Sequence, residues 1–429
     1  MTSDKPDSWE SAAPGKFKED ASPVLNRRVK PHHKTALVYV VAAIIVLSSL
    51  LAIAYLPIAP RTRTYYIAAD EVQWDYTPDG TNRITGEDFG LLENVFVGDP
   101  PDRIGHIYLK ALLREYLDAT FTAPKPRVGD EELLGIMGPV LRAEVGDTIR
   151  VVFKNNARYP FSLHPHGVLY DKASEGAAYN DGSAPTDRAD DEVAPGGMVT
   201  YLWRVPERAG PGPHDPSTVL WMYHGHVDAP GDTNAGILGP IVVGRRGALA
   251  SDGHAAEVAR EFFTLWTIFD ENRSPFLWDN VAQHVEDQAA VELQIALTGT
   301  ESAEGGPCGR EASPALQRLC LAEGSFTESN LKHSVNGFLY GNGPHPSMKA
   351  GEKVRWYVMA IGSEGDLHTP HWHGQTLLWS GMRTDMTELL PMSTRVLDMV
   401  PDAVGTWLLH CHVNDHIDAG MSMLYEVLP

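Results

Sequence analysis

The stretch LLHCHVNDHIDAGM near the C-terminus gathers His410, Cys411, His412, His416 and Met421. Imidazole, thiolate and thioether are the soft and borderline donors that suit copper and zinc. On an extended backbone alternate residues share a face, so His410 and His412 point to one side and Cys411 to the other. Cys411 can then join His416, His368 and a weak axial Met421, the donor set of a blue-copper electron-transfer centre. His164 with His166, His224 with His226, and His371 with His373 form further His-x-His pairs, each aiming two imidazoles at one point. Together with His410 and His412 they leave eight histidines for a second, imidazole-only site, which also suits copper. One His-x-His alone reads as structural histidine. Four of them at matching positions of a repeat read as a metal site.

Positioning such pairs takes strands, and the chain supplies them. Runs rich in Val, Ile, Tyr, Trp and Phe recur, such as TYYIAADEVQWDY, DTIRVVFKN, MVTYLWRV, EKVRWYVMA and TRVLDMV. Gly/Pro/Asp turns separate them, the pattern of an all-β sandwich or barrel. Helical periodicity is scarce and suggests only a short helix near RIGHIYLKALLREYL. The segment VGDTIRVVFKNNARYPFSLHPHG matches AGEKVRWYVMAIGSEGDLHTPHWHG, and TVLWMYHGHVDAPGDTNAGILGPIVV parallels GTWLLHCHVNDHIDAGMSMLYEV. Two homologous β-sandwiches, at 64–245 and 255–429, explain this repeat better than one large domain. The copies differ where chemistry matters: Gly225 stands for Cys411 and Ile237 for Met421.

The 429 residues carry a net charge of −21, and the first 63 are net basic, so the acidity lies in the body. That balance argues against nucleic acid as a partner and would gather cations instead. From Thr35 to Pro60 no charge interrupts an apolar run, long enough to cross a bilayer core of roughly 30 Å as a helix. Arg27, Arg28, Lys30 and Lys34 precede it, and only Arg61 and Arg63 follow closely. The positive-inside rule then predicts a single-pass membrane protein with a cytoplasmic N-terminus and its body in a periplasm or at the cell surface. Residues 1–34 read as a polar, disordered tail and 35–60 as the anchor. A signal peptide cleaved at Ala52-Ile53-Ala54 is the alternative, for which the apolar run is long. Cys308 and Cys320, in GPCGREASPALQRLC, are expected to pair in such a compartment, with two free thiols as the alternative.

HPHG, HGH, HTPHWHG and HCHVNDHIDAGM, in this order and with no ligand missing, resemble the four copper signatures of the multicopper oxidases. The resemblance implies four copper ions. His368, Cys411, His416 and Met421 match the type 1 centre, His164 and His371 the type 2 copper, and His166, His224, His226, His373, His410 and His412 the type 3 pair. It implies cupredoxin-like Greek-key sandwiches in both halves and the four-electron reduction of O2 to water. EGAAYNDG, RADDEVAPGG, YHGHVDAPGDTNAGILGP, SVNGFLYGN and EGDLHTPHWHG are similar to the ceruloplasmin and hephaestin branch more than to laccases. The likeness covers nearly everything from Thr64 to the end, apart from an insertion around Cys308, although those relatives have six domains where this chain has two and an anchor.

Further assignments follow from that branch. Glu328 and His333, in TESNLKHSVNG, match with Asp415 the residues that hold iron beside the type 1 copper, and Glu364 is a weaker candidate for passing iron inward. Two carboxylates stabilise Fe(III) more than Fe(II), so Fe(II) is the expected substrate. DKASEGAAYNDGSAPTDRADDE places Glu175, Asp187, Asp190 and Asp191 near the Lys172 carbonyl. Hard oxygen ligands in a loop suit calcium, and the segment resembles that branch's calcium loop; a solvated acidic loop is the alternative. A six-domain ring can be rebuilt from two-domain chains as a homotrimer, each copper cluster shared between neighbours. The expected activity is ferroxidase, with laccase-like oxidation of phenols, or oxidation of Cu(I) or Mn(II), as alternatives. Copper nitrite reductase is less favoured, because its blue copper lies in the first domain, where Gly225 excludes it.

Overall fold

Alternating β-branched or aromatic and polar residues send successive side chains to opposite faces. Among the described residues this builds four sheets between Thr62 and Leu428. The structure, a computed structural model, describes residues 37–45, 59–99, 101–289, 291, 326–363 and 365–429. The chain divides into two units, Met1–Ile58 and Ala59–Pro429. In the first, residues 37–45 are helical. No helix among the described residues is long and apolar enough to cross a membrane, so the expected anchor at 35–60 finds no support there. The rest of that run as far as residue 58, the 1–34 tail, Cys308, Cys320 and Glu364 lie outside the described residues.

In the second unit β2 (Ile107–Tyr116), β1 (Thr62–Asp75), β4 (Thr148–Asn155) and β6 (Met198–Arg204) form one sheet in that order. A second sheet runs β3 (Leu141–Glu144), β8 (Leu238–Gly244), β7 (Thr218–His224), β5 (His164–Pro165). The later half repeats the plan. One sheet runs β10 (Leu331–Val335), β9 (Arg260–Asp270), β12 (Val354–Ala360), β16 (Thr394–Met399), β14 (Leu377–Trp379), β15 (Met382–Thr384). The other runs β11 (Ser347–Lys349), β18 (Ser422–Leu428), β17 (Gly405–Cys411), β13 (Pro370–Trp372). Even pairing directions repeat: β1 with β4 and β9 with β12 are parallel, while β7 with β8 and β17 with β18 are antiparallel.

The segment expected as a short helix is strand β2. Tyr108 and Leu112 enter one apolar cluster while Leu109, Ala111 and Leu113 enter another. With both faces buried, the polar alternation that marks a strand is lost from the sequence. Lys110, on the Tyr108 face, is fully buried and ion-paired with Glu271.

Val151, Trp203 and Ile241 belong to a core within the first half, and Trp266, Trp356 and Tyr425 to one within the second. A third cluster joins the halves, with Tyr108, Leu112 and Leu220 meeting Phe263, Leu265 and Tyr357. Arg142 of β3 also pairs with Glu261 of β9 at 2.7 Å. Removing one partner of such a buried pair costs on the order of 3–5 kcal/mol, so the join between halves is firm.

Candidate metal centre

Strand β17 delivers Cys411 into the second core, and the short helix Asn414–Asp418 folds His416 back over it. Two backbone bonds fix this loop: Cys411 N–H donates to Met421 O at 3.1 Å, and Met421 N–H to His416 O at 2.8 Å. The donor atoms of His368, Cys411 and His416 lie within 4.8 Å of one another, all buried. Cys411 Sγ is 3.9 Å from His368 Nδ1 and 3.6 Å from His416 Nδ1, and the two Nδ1 atoms are 3.1 Å apart. Burial alone would raise the Cys411 thiol, but the two imidazoles and the Thr369 amide bring it down to about 6. Met421 is fully buried in the same cluster. An acidic thiol facing two imidazole nitrogens fits a copper ion well.

Behind His368 stands Asp366, which the sequence reading overlooked. Its Oδ1 lies 3.2 Å from His368 Nε2 and accepts the Ile268 amide at 2.7 Å, while Oδ2 accepts the Ser363 amide at 2.9 Å. A carboxylate anchored in this way orients the ligand ring and leaves its Nδ1 for the metal. Its position two residues before His368 was the available signal.

The other eight histidines form two quartets. Pairing of β5 with β7 sets His164 opposite His224, and pairing of β13 with β17 sets His371 opposite His410. In the first quartet His166 Nε2 and His224 Nε2 are 3.1 Å apart; in the second His373 Nε2 and His410 Nε2 are 3.0 Å apart. His226 and His412 complete the sets, 5.1 Å from His164 and from His410 between ring centroids. Main-chain carbonyls hold the opposite nitrogens: Glu175 O takes His164 Nδ1 at 2.8 Å, Gly225 O takes His224 Nδ1 at 2.8 Å, and Cys411 O takes His410 Nδ1 at 2.9 Å. Burial lowers His166 to about 4 and His224 to about 3, so the rings are neutral and free to ligate. Among the described residues no hydrogen bond or ring contact joins one quartet to the other. Instead the first quartet opens onto a cavity of about 530 Å³ shared with Asp270, Arg273 and Asp366.

Each His-x-His-Gly ends over an indole. Gly167 has φ +76° and a Cβ there would lie 2.2 Å from the Trp221 ring; Gly374 has φ +72° and would meet Trp407 at 2.6 Å. The first half also shows what replaced its blue-copper ligands. Phe161 bridges Val193 as His368 bridges Leu389. Gly225 N–H donates to Ile237 O as Cys411 does to Met421, and Ile237 N–H donates to Asp232 O as Met421 does to His416. Asp232 thus takes the place of His416, its carboxylate accepting from the Val227 and Asp228 amides at 2.9 and 3.4 Å. Gly225 and Ile237 are legible in the repeat, and so is Phe161, three residues before His164 as His368 is before His371; Asp232 is not, because the loop after His226 is longer.

His333 sits on β10 with its ring 5.2 Å from that of His416 and 5.6 Å from Phe96. Its Nδ1 is buried without a hydrogen-bond partner, and burial lowers its pKa to about 3. Burial, with the Asp415 charge nearby, raises the Glu328 carboxyl. Glu328 thus lies near Asp415 and His333 lies against His416, but the donor atoms of the three are not drawn together as closely as those around Cys411.

In the acidic loop Glu175, Asp190 and Asp191 are buried and Asp187 is half-buried. Lys172 Nζ donates to Glu175 at 2.6 Å and to Asp181 at 2.9 Å. Asp190 Oδ2 accepts the Gly176 amide at 2.8 Å, while its Oδ1 is buried without a partner. Burial raises both Asp190 and Asp191. No three of these carboxylates bring oxygens within 4.8 Å of one another.

Two family models, both described as multicopper oxidase, match residues 135–247 and 321–429, together just over half of the chain. The chain is 39% identical to hephaestin of Homo sapiens over 375 residues, covering 85% of this chain and 28% of that protein. It is 39% identical to ceruloplasmin of Mus musculus over 370 residues (86% and 32%), and 39% identical to ferroxidase HEPHL1 of Mus musculus over 371 residues (85% and 29%). The chain spans less than a third of the length of these relatives. Among solved structures the multicopper oxidase mgLAC aligns with a TM-score of 0.51 at 16% identity, covering 86% of each chain. That likeness shows the fold: mostly β and cupredoxin-like.

Proposed function

Because this chain belongs to the multicopper oxidase family, in its hephaestin- and ceruloplasmin-like branch, we propose that it is a ferroxidase. Four Fe(II) ions each give up one electron, and one O2 takes the four electrons with four protons to become two waters. We assign type 1 copper to His368, Cys411, His416 and Met421, type 2 to His164 and His371, and the type 3 pair to the six remaining histidines. Bound copper supplies a one-electron acceptor at Cys411 and an oxygen-reducing cluster at the histidines.

One observation carries the choice of iron. Glu328 and Asp415 are close enough for one charge to raise the other carboxyl, and His333 packs on the ring of His416. Two carboxylates attract a cation and, as anions, favour Fe(III) over Fe(II), which eases loss of the electron. His333 adds a ligand without adding charge. His416 is then the short way from iron to Cys411, whose chain neighbours His410 and His412 continue the covalent route to the cluster.

The separation of the two quartets within one chain supports a homotrimer, each cluster built from the first quartet of one copy and the second of the next. In this reading residues 64–245 and 255–429 are the two domains, 35–60 anchors the body outside the cell, and the Lys172 carbonyl with the carboxylates of Glu175, Asp187, Asp190 and Asp191 takes calcium. The partnerless buried Asp190 Oδ1 supports that last assignment. The deciding experiment compares Glu328→Ala and Asp415→Ala on Fe(II) and on a bulky phenol. Loss of Fe(II) turnover with phenol oxidation kept is the expected result; equal loss on both substrates, or none on Fe(II), overturns the iron assignment.

A further inference from the structure

Away from the copper ligands, the start of β2 meets the end of the helix Leu277–His284 at a small polar cavity of about 280 Å³. Its wall includes two imidazoles, His106 and His284, and two carboxylates, Asp99 and Glu286. Three features set it apart from a solvated crevice. His106 Nδ1 is bonded to Asp75 Oδ1 at 2.7 Å, the carboxylate–histidine arrangement that fixes a ring and leaves Nε2 with its lone pair. His284 Nε2 is buried with no hydrogen-bond partner, a nitrogen whose bonding capacity nothing else uses. Neither Asp99 nor Glu286 forms an ion pair among the described residues, although this is a cavity of two acids and two bases.

We propose that His106, His284, Asp99 and Glu286 form a separate site for a borderline divalent transition-metal ion. Two neutral imidazoles with one or two carboxylates are the donor set of Fe(II), Mn(II), Co(II) and Zn(II) sites, and lack the thiolate that selects copper at Cys411. Burial and the neighbouring His106 both lower the His284 pKa, keeping that ring unprotonated. The donors line the wall at wider spacing than those around Cys411, with the carboxylates of Asp99 and Glu286 on its exposed side. The walls are tied to both partners of the fold: Glu286 N–H donates to Pro101 O at 3.0 Å, and Lys332 Nζ, next to His333, donates to Gly105 O at 2.8 Å.

The test uses the full, copper-loaded protein titrated with Co(II), whose visible bands report ligand type, and with Zn(II) by calorimetry. The parent is expected to bind one equivalent more than the double variant His106→Ala, His284→Ala. Asp99→Asn with Glu286→Gln, which keeps the volume, is expected to weaken that equivalent at least about tenfold. Blue absorption from Cys411 and phenol oxidation should be unchanged in both, which shows the fold and the copper sites intact. Equal stoichiometry and affinity in parent and both variants overturns the proposal, as does loss of blue absorption together with the Co(II) bands.

Discussion

His164 Nδ1 and the main-chain oxygen of Glu175 lie 2.8 Å apart, and the carboxylate of the same Glu175 receives Lys172 Nζ at 2.6 Å. The residue that orients the first cluster imidazole therefore also belongs to the acidic loop. Anything that shifts the loop shifts the ligand.

Gly176 is the place to test this coupling. It has φ +69°, and a Cβ would fall 2.2 Å from Leu163 O. Gly176→Ala should destabilise the fold by upward of about 1 kcal/mol and move Glu175 O off His164. Metal analysis should find copper lost from the cluster while the blue absorption of Cys411 persists. A variant with full copper content would show loop and ligand to be independent. In the same spirit, EGTA should lower the parent's Tm if calcium fills the loop.

Asp366→Asn keeps the size of the side chain but removes the charge behind His368. Copper affinity at the Cys411 centre should fall about 10–100-fold, read by competition with a chelator at the blue band. Asp366→Ala should in addition lower the Tm, since the Ile268 and Ser363 amides lose their acceptor. Unchanged affinity in Asp366→Asn would mean that backbone packing alone sets the ring.

Burial drives the Asp232 carboxyl up to about 7, with the Asp228 charge adding to it, against the Val227 and Asp228 amides. An unfolded aspartate titrates near ~3.9, so the folded chain holds this proton longer. The stability that this lends is full below about pH 4 and is lost as pH rises through about 7. Asp232→Asn cannot titrate, and its Tm should fall less than the parent's between about pH 5 and 8. Parallel profiles would show that Asp232 is already ionised at the lower pH.

Mixing tests the shared cluster. His224→Ala and His373→Ala each break one quartet, and each alone should lose oxygen reduction. Unfolded, mixed in equal amounts and refolded together, they should recover about a quarter of intact clusters if each cluster spans two chains. No recovery would put the cluster within one chain.

The histidine clusters were legible because strand geometry forces alternate residues together, so spacing in the sequence is spacing in space. The repeat made Gly225 and Ile237 readable for the same reason. Asp232 was hidden by the longer loop after His226, and strand β2 by burial on both faces. His106 and His284 come from distant segments that only the packing of a helix against a strand brings near, which no local pattern announces.

The indoles under Gly167 and Gly374 give the molecule an optical property. Each lies against the glycine that ends one His-x-His pair, Trp221 beside the first quartet and Trp407 beside the second. Paramagnetic copper at that range quenches an excited indole, so filling of a cluster that both quartets share should dim the two together. Exchanging either tryptophan for phenylalanine should remove its share of that dimming, the rest coming from the other tryptophans, Trp372 between His371 and His373 among them. Loading of the cluster can then be followed by ultraviolet emission alone, with no dye and no turnover.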